Sequence, residues 1–290
     1  DLWVPGYFEI PIKKGESIIF SAGVSEMQPR SMAKTWTQEI ASRTPRSSFF
    51  NCLKNCAKQF YLKEDNSMYM LSGYPWGKIL ARNTFMALPG NTISIDHRAD
   101  YEAIMDTAAK ALQHFMTTGE SDKRILGIDL PDIPLWCIWA LQQYAKAYGA
   151  DDCRKRYKSL VTEIINYVAD NRHPNLRMES NGLLYTIGTE TPVSWMNASL
   201  NGRPVVPRTG HLVEFNALWY NALMFGISLL GEELTSTSEH ERWTAIANSL
   251  KPAFVDMFLN DYGYLFDYVS ENYACLLYTS PSPRDLSTSR

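Results

Sequence analysis

FNALWYNALMFGISLL, residues Phe215–Leu230, places apolar side chains on nearly every side of a helix, and a helix of that kind must be enclosed by neighbours. IPLWCIWALQQYAKAY, Ile133–Tyr148, has the same character. Working outward, other segments are one-sided. Tyr157, Leu160, Val161, Ile164, Ile165 and Val168 form a single stripe with lysine and arginine opposite. Ile104, Ala108, Ala111, Leu112, Phe115 and Met116 form a second, and Trp243, Ile246, Leu250, Phe254 and Met257 a third. One-sided and all-round helices in alternation, joined by loops that hold the glycine, proline and aromatic residues, suggest concentric rings, an α/α toroid, with a simple bundle as the competing arrangement.

The chain has 290 residues, 45% hydrophobic and 12% aromatic, enough for one large core or a large domain plus part of another. A formal net charge of -3 supplies no basic field for a polyanion, which argues against nucleic acid as partner. A neutral ligand fits better. No run of about 18 apolar residues suggests a membrane span, and DLWVPGYFEI lacks the order of a signal peptide, so a cytoplasmic location is expected. Five scattered cysteines suit reduced thiols rather than a disulfide framework. Cys52 and Cys56 share a helical face, but with no histidine nearby they read as small hydrophobes, and the five histidines show no metal-ligand spacing. Neither metal nor organic cofactor is expected.

Organisation follows the composition. In YFEIPIKKGESIIF, Phe8, Ile10 and Ile12 alternate, Lys13 to Glu16 turn, and Ser17 to Phe20 read as a second strand. Residues 1–22 are therefore expected to be the last hairpin of an N-terminal β domain, and 23–49 a helical linker. Residues 50–274 carry the helical pattern. After Tyr273 the period stops: CLLYTSPSPRDLSTSR is expected to be a non-native or disordered tail, and its CLLYTSPSPRD portion resembles a translated sequencing adapter.

Two segments carry the chemistry: SGYPWGKILARNTFMALPG (Ser72–Gly90) and NGLLYTIGTETPVSWMNASLNGRPVVPRTGHLVEFNALWYNAL (Asn181–Leu223). They closely resemble the glucosidase domain of glycogen debranching enzymes, the amylo-α-1,6-glucosidase family, whose hallmark segments are GYPW…RDTF…LPG and TWMD…TPR…VEINALWYNAL. The resemblance implies an all-α catalytic domain, an (α/α)6 toroid, incomplete at the C-terminus and preceded by a β-sandwich. It implies hydrolysis, with inversion, of the single α-1,6-linked glucose stub of glycogen or limit dextrin, with α-glucan or malto-oligosaccharide as ligand. Inverting glucosidases need a carboxylic acid at the leaving oxygen and a carboxylate base across the ring, about 6.5–9.5 Å apart. The resemblance places the acid at Asn197, in Trp195-Met196-Asn197, and the base beyond residue 274. An amide has no proton of usable pKa; with the toroid open and the base absent, the fragment itself is expected to be inactive. Asn83, in Arg82-Asn83-Thr84, stands where the family has Asp; that Arg-Asp pair grips hydroxyls of the terminal glucose.

Other readings stay open. Glu214 is a substitute acid, a sugar-binding anion or a helix cap, since a helix start lowers a carboxyl pKa. Asp129 and Asp132 precede an all-round apolar helix and read either as acids or as N-caps. Glu190 shares a loop with Asn197 and could supply a proton if that loop folds inward. Tyr74, Trp76, Trp136 and Trp195 offer flat faces to a pyranose. Core packing is the default for Trp136, Trp219 and Tyr220. Arg208 pairs with a carboxylate at the rim or reaches a hydroxyl. A carbohydrate-binding protein that has lost its general acid, or a toroid enzyme acting on another glycan, are the competing functions.

Overall fold

The computed structural model describes residues 5–22, 26, 28–187, 192–206, 208–230, 238–270 and 274–275. Glu190 and most of the expected tail, 276–290, lie outside them. The chain divides into two compact units, Asp1–Cys56 and Ala57–Arg290.

In the first unit, helix α1 (Met32–Ser42) follows a short 3-10 turn and buries none of its residues. The expected turn forms, with the Glu16 N–H donating to the Lys13 carbonyl at 3.0 Å. The Phe8 and Phe20 rings meet at 6.3 Å. Yet residues 5–22 form no strand, which corrects the expected hairpin. Two short extended segments bury little against each other alone, and Phe8 is 87% exposed. The unit boundary falls near the end of α2 (Phe49–Lys58).

The second unit is mostly helical. Its helices are α3 (Ala81–Thr92), α4 (Arg98–Thr118), α5 (Ile133–Tyr148), α6 (Ala150–Ala169), α7 (Val213–Leu230) and α8 (Ser238–Phe258). The α4 and α6 stripes expected from the periodicity are buried throughout. In α8, Trp243 and Leu250 are buried and the rest of the stripe is partly so. Gly119 ends α4 in the left-handed region at φ 78°, its N–H closing onto the Phe115 carbonyl. Gly149, at φ 100°, separates α5 from α6.

Helices α3, α5 and α7 pack in series, α3 on α5 and α5 on α7. Leu80 and Leu126 form a parallel bridge just before α3, and Arg82 reaches Asp132 at the head of α5, so these two helices start at the same end. Midway along, Gln142 donates to Asn221 at 3.1 Å, joining α5 to α7. α5, in the middle, exposes only Lys146 and Ala147, near its C-terminus. The outer two members each show a bare stripe: Asn83, Met86, Ala87 and Gly90 on α3, and Ala217, Met224 and Ser228 on α7.

Short antiparallel ladders fill the loops: β1 (Tyr61–Glu64) with β2 (Ser67–Met70), β3 (Leu176–Met178) with β4 (Leu184–Thr186), and β5 (Ser199–Leu200) with β6 (Arg203–Pro204). The fourth sheet runs β7 (His211–Leu212), β8 (Tyr268–Val269), β9 (Ala274–Cys275). Periodicity does not reveal them, because two to four residues are too few to impress a repeat of two on the sequence. They matter for position. Leu212 pairs with Tyr268, and the Val213 N–H donates to the Asp267 carbonyl at 3.1 Å, which sets residue 267 beside the start of α7. The approach requires Gly210: its φ is +117°, and a Cβ there would lie 2.3 Å from the Val269 carbonyl oxygen.

Candidate active site

Residues of the first motif form a tight loop and then a helix. The Gly77 N–H bonds the Gly73 carbonyl at 2.6 Å across a cis Tyr74–Pro75 peptide. Gly77 is required, because a Cβ there would lie 2.2 Å from Gly73 backbone atoms. Tyr74 and Trp76, on that loop, stand in solvent at 58% and 92% exposure. Arg82, the second residue of α3, turns inward instead. Its Nε and Nη2 donate to the two oxygens of Asp132, at 2.5 and 2.9 Å, and the Trp136 indole donates to the same carboxylate at 3.2 Å. Both Arg82 and Asp132 are buried. Burial pushes the Asp132 carboxyl above the usual carboxylate range, while Arg82 and then the Trp136 indole pull it back. Although it sits at the N-cap position of α5, Asp132 makes no side-chain capping bond. These donors hold its carboxyl group in a fixed place.

The second cluster lies at the start of α7. Arg208 Nη1 donates to Ser194 Oγ at 3.0 Å and to Glu214 Oε1. Its Nη2 donates to Glu214 Oε2 at 2.8 Å and to Asp267 Oδ2 at 3.0 Å. The Arg208 side chain is 1% exposed, so it touches the site through Glu214 and not through a ligand. Burial opposes its charge, and Glu214 and Asp267 outweigh burial, so the guanidinium stays protonated. Burial raises the Asp267 carboxyl, Arg208 lowers it and the Glu214 charge raises it again. Glu214, with 23% of its side chain exposed, is the member of the group that opens to solvent. Its role as a simple helix cap is replaced by a bidentate ion pair.

The sequence-predicted residues therefore divide. Arg82 and Trp136 converge on Asp132, and Arg208 and Glu214 join Ser194 and Asp267. Both clusters sit where helices of one packed series begin, but among the described residues no hydrogen bond or ion pair links them. Asn83, Trp195 and Asn197 are exposed. Trp195 and Asn197 follow Ser194, so the Arg208–Ser194 bond ties their loop to the cluster. Asp129 is half-buried and carries no arginine among the described residues; its charge acts on His173. Trp219 belongs to the core, fully buried. Glu190 lies outside the described residues.

Asp267 escaped the sequence reading. The signal for it was present: one acidic residue in the otherwise apolar run Leu265–Val269 marks a carboxylate that needs a partner. An open cavity of about 450 Å³ lies elsewhere, lined by Arg98, Glu102, Tyr144, Asp152, Lys155 and Arg156 near the C-terminus of α5. Its cations and carboxylates largely satisfy one another, and it presents no bare aromatic face. Among the described residues, no three His, Cys, Asp or Glu side chains group as a metal site would need. No helix of the described residues is long and apolar enough to cross a membrane.

The sequence pattern of the family described as amylo-alpha-1,6-glucosidase matches residues 50–277, most of the chain and all of both clusters. The chain belongs to this family. No curated protein matches it. Membership makes α3 to α8 part of a glycoside-hydrolase-type domain and makes an α-glucan, in general, the ligand class of that domain.

Proposed function

We propose that this amylo-alpha-1,6-glucosidase domain holds the terminal glucose of an α-glucan at the common end of α3, α5 and α7, the stub being α-1,6-linked and its hydrolysis inverting. The observation that carries the reading is the pair of arginine–carboxylate clusters, each at the start of a helix of the α3–α5–α7 series and inside the segment that matches the family. Glu214, the carboxylate that opens to solvent, accepts sugar hydroxyls, while the buried Arg82–Asp132 pair fixes the starts of α3 and α5 beside it. Tyr74, Trp76 and Trp195 supply pyranose faces from loops that are already solvated. The serial packing of α3, α5 and α7, with bare stripes on the two outer members, fits an arc of the inner ring of an (α/α)6 toroid.

Glu214 and Asp267 do not form the hydrolytic pair. Their oxygens lie 2.8 and 3.0 Å from the same Arg208 nitrogen, hence within about 6 Å of each other, short of the spacing that leaves room for a sugar ring and a water. Asn197 and these spent carboxylates favour a second reading for the chain as it stands, an α-glucan binder with little hydrolysis. Asn197→Asp, assayed with formate added as an external general base, decides between them. Glucose release from a branched limit dextrin should rise by about 10²-fold or more if a proton at residue 197 is what is missing. An unchanged rate, with maltotetraose still bound, refers the proton to another carboxyl, Asp129 being the half-buried one without an arginine. Failure of the unsubstituted chain to bind maltotetraose or panose at millimolar concentration overturns the carbohydrate reading altogether.

A further inference from the structure

Arg208 is the hub of the second cluster, yet its Nε is buried and meets no acceptor among the described residues, so the angle of the guanidinium is set by the partners of its two terminal nitrogens. One edge of the fork carries Ser194 and Glu214 Oε1, and the far nitrogen carries Glu214 Oε2 and Asp267 Oδ2. Glu214 is partly solvated and hangs from the first turn of a helix, so by itself it would follow the arginine rather than direct it. Asp267 differs. It is 6% exposed, and its backbone is pinned through the β7–β8 ladder and the Val213 N–H.

We propose that Asp267 is a positioning residue: anchored by the β7–β8 ladder, it sets the plane of the Arg208 guanidinium, and Arg208 thereby aligns Glu214 and, through Ser194, the Trp195–Asn197 loop. The planar fork of arginine transmits this alignment, because a guanidinium held at both ends cannot rotate without breaking a charge-assisted bond. A lysine could not do the same. The proposal concerns how the site is assembled and rests on the reading above only for what the site binds.

The experiment compares Asp267→Asn and Asp267→Leu in the full chain. Asparagine keeps an acceptor oxygen for Nη2, and leucine keeps none. Amide hydrogen exchange is followed in residues 192–206, with α4 as the internal reference, and maltotetraose affinity is measured in parallel. Losing a buried charged acceptor should speed exchange in 192–206 by about tenfold or more in the leucine variant, with α4 unchanged. The asparagine variant should stay within about threefold of the unsubstituted chain, and maltotetraose affinity should follow the same order. Unchanged exchange in both variants overturns the proposal, and so does uniform acceleration that includes α4. If asparagine behaves like leucine, the charge and not the alignment matters, and the proposal fails. Should the unsubstituted chain bind no maltotetraose, the sugar reading falls, while the exchange comparison still decides the positioning role.

Discussion

Arg82→Met isolates the energetic consequence of the first cluster. Methionine keeps most of the apolar stem and removes the guanidinium, leaving the Asp132 carboxylate, with 2% of its side chain exposed, facing a single indole N–H at 3.2 Å. Breaking a buried ion pair from one side costs about 3–5 kcal/mol, because the remaining charge is stranded in a poorly polarisable interior. Burial already raises the Asp132 carboxyl, and without Arg82 it rises further. The unfolded chain ionises Asp132 near pH 3.9, whereas the folded variant holds the proton to higher pH. Stability is therefore lost as pH climbs from about 4 through the raised folded pKa, and the variant is weakest at neutral pH. The double variant Arg82→Met/Asp132→Asn keeps an acceptor for the Trp136 indole and removes the charge, and no capping bond is forfeited because Asp132 makes none. It should recover about half or more of the loss. Urea unfolding followed by tryptophan fluorescence at pH 5 and pH 7.5 measures both. Equal destabilisation of the single and double variants at pH 7.5 would show that lost packing rather than a stranded charge is responsible, and the reasoning would be wrong.

Two further outcomes follow from the geometry. His173 is 3% exposed and packed edge-on against Phe115 and Tyr167; its Nδ1 accepts from the Asn175 N–H, and burial holds its pKa down to about 4. The unfolded chain protonates it near 6.5, so stability should fall by up to about 3 kcal/mol as pH drops from 6.5 toward 4. His173→Phe removes that slope, and an unchanged pH dependence of the urea midpoint would refute it. Trp76 is 92% exposed, so Trp76→Ala should leave stability within about 0.5 kcal/mol while weakening maltotetraose binding by about tenfold through the lost ring face. A calorimetric titration showing unaltered affinity removes Trp76 from the site.

How much of this was legible in advance depends on the range of each interaction. The stripe of α6 was legible, because Tyr157, Leu160, Val161, Ile164, Ile165 and Val168 repeat within a few turns of one helix. So was the enclosure of α5, which carries too little polar surface to face water along most of its length. The N-terminal alternation misled: Phe8, Ile10 and Ile12 have the period of a strand, but a strand needs a partner sheet to bury its face, and alternation does not supply one. Asp132 and Glu214 each stood at a helix start, where capping is the local expectation. Each instead pairs with an arginine that the sequence could not assign to it.

The amino-acid order alone determined the helical repeat, the all-round burial of α5, the exposed aromatic loops and the family, since all of these are written in neighbouring residues. Tertiary structure alone decided the partners of the charges. Arg82 and Asp132 are 50 residues apart, and Arg208 and Asp267 are 59 apart. Nothing local names the arginine that either carboxylate meets; they are brought to their arginines because the helices and the β7–β8 ladder must bury apolar faces, and a charge carried into that interior is stable only where an opposite charge meets it.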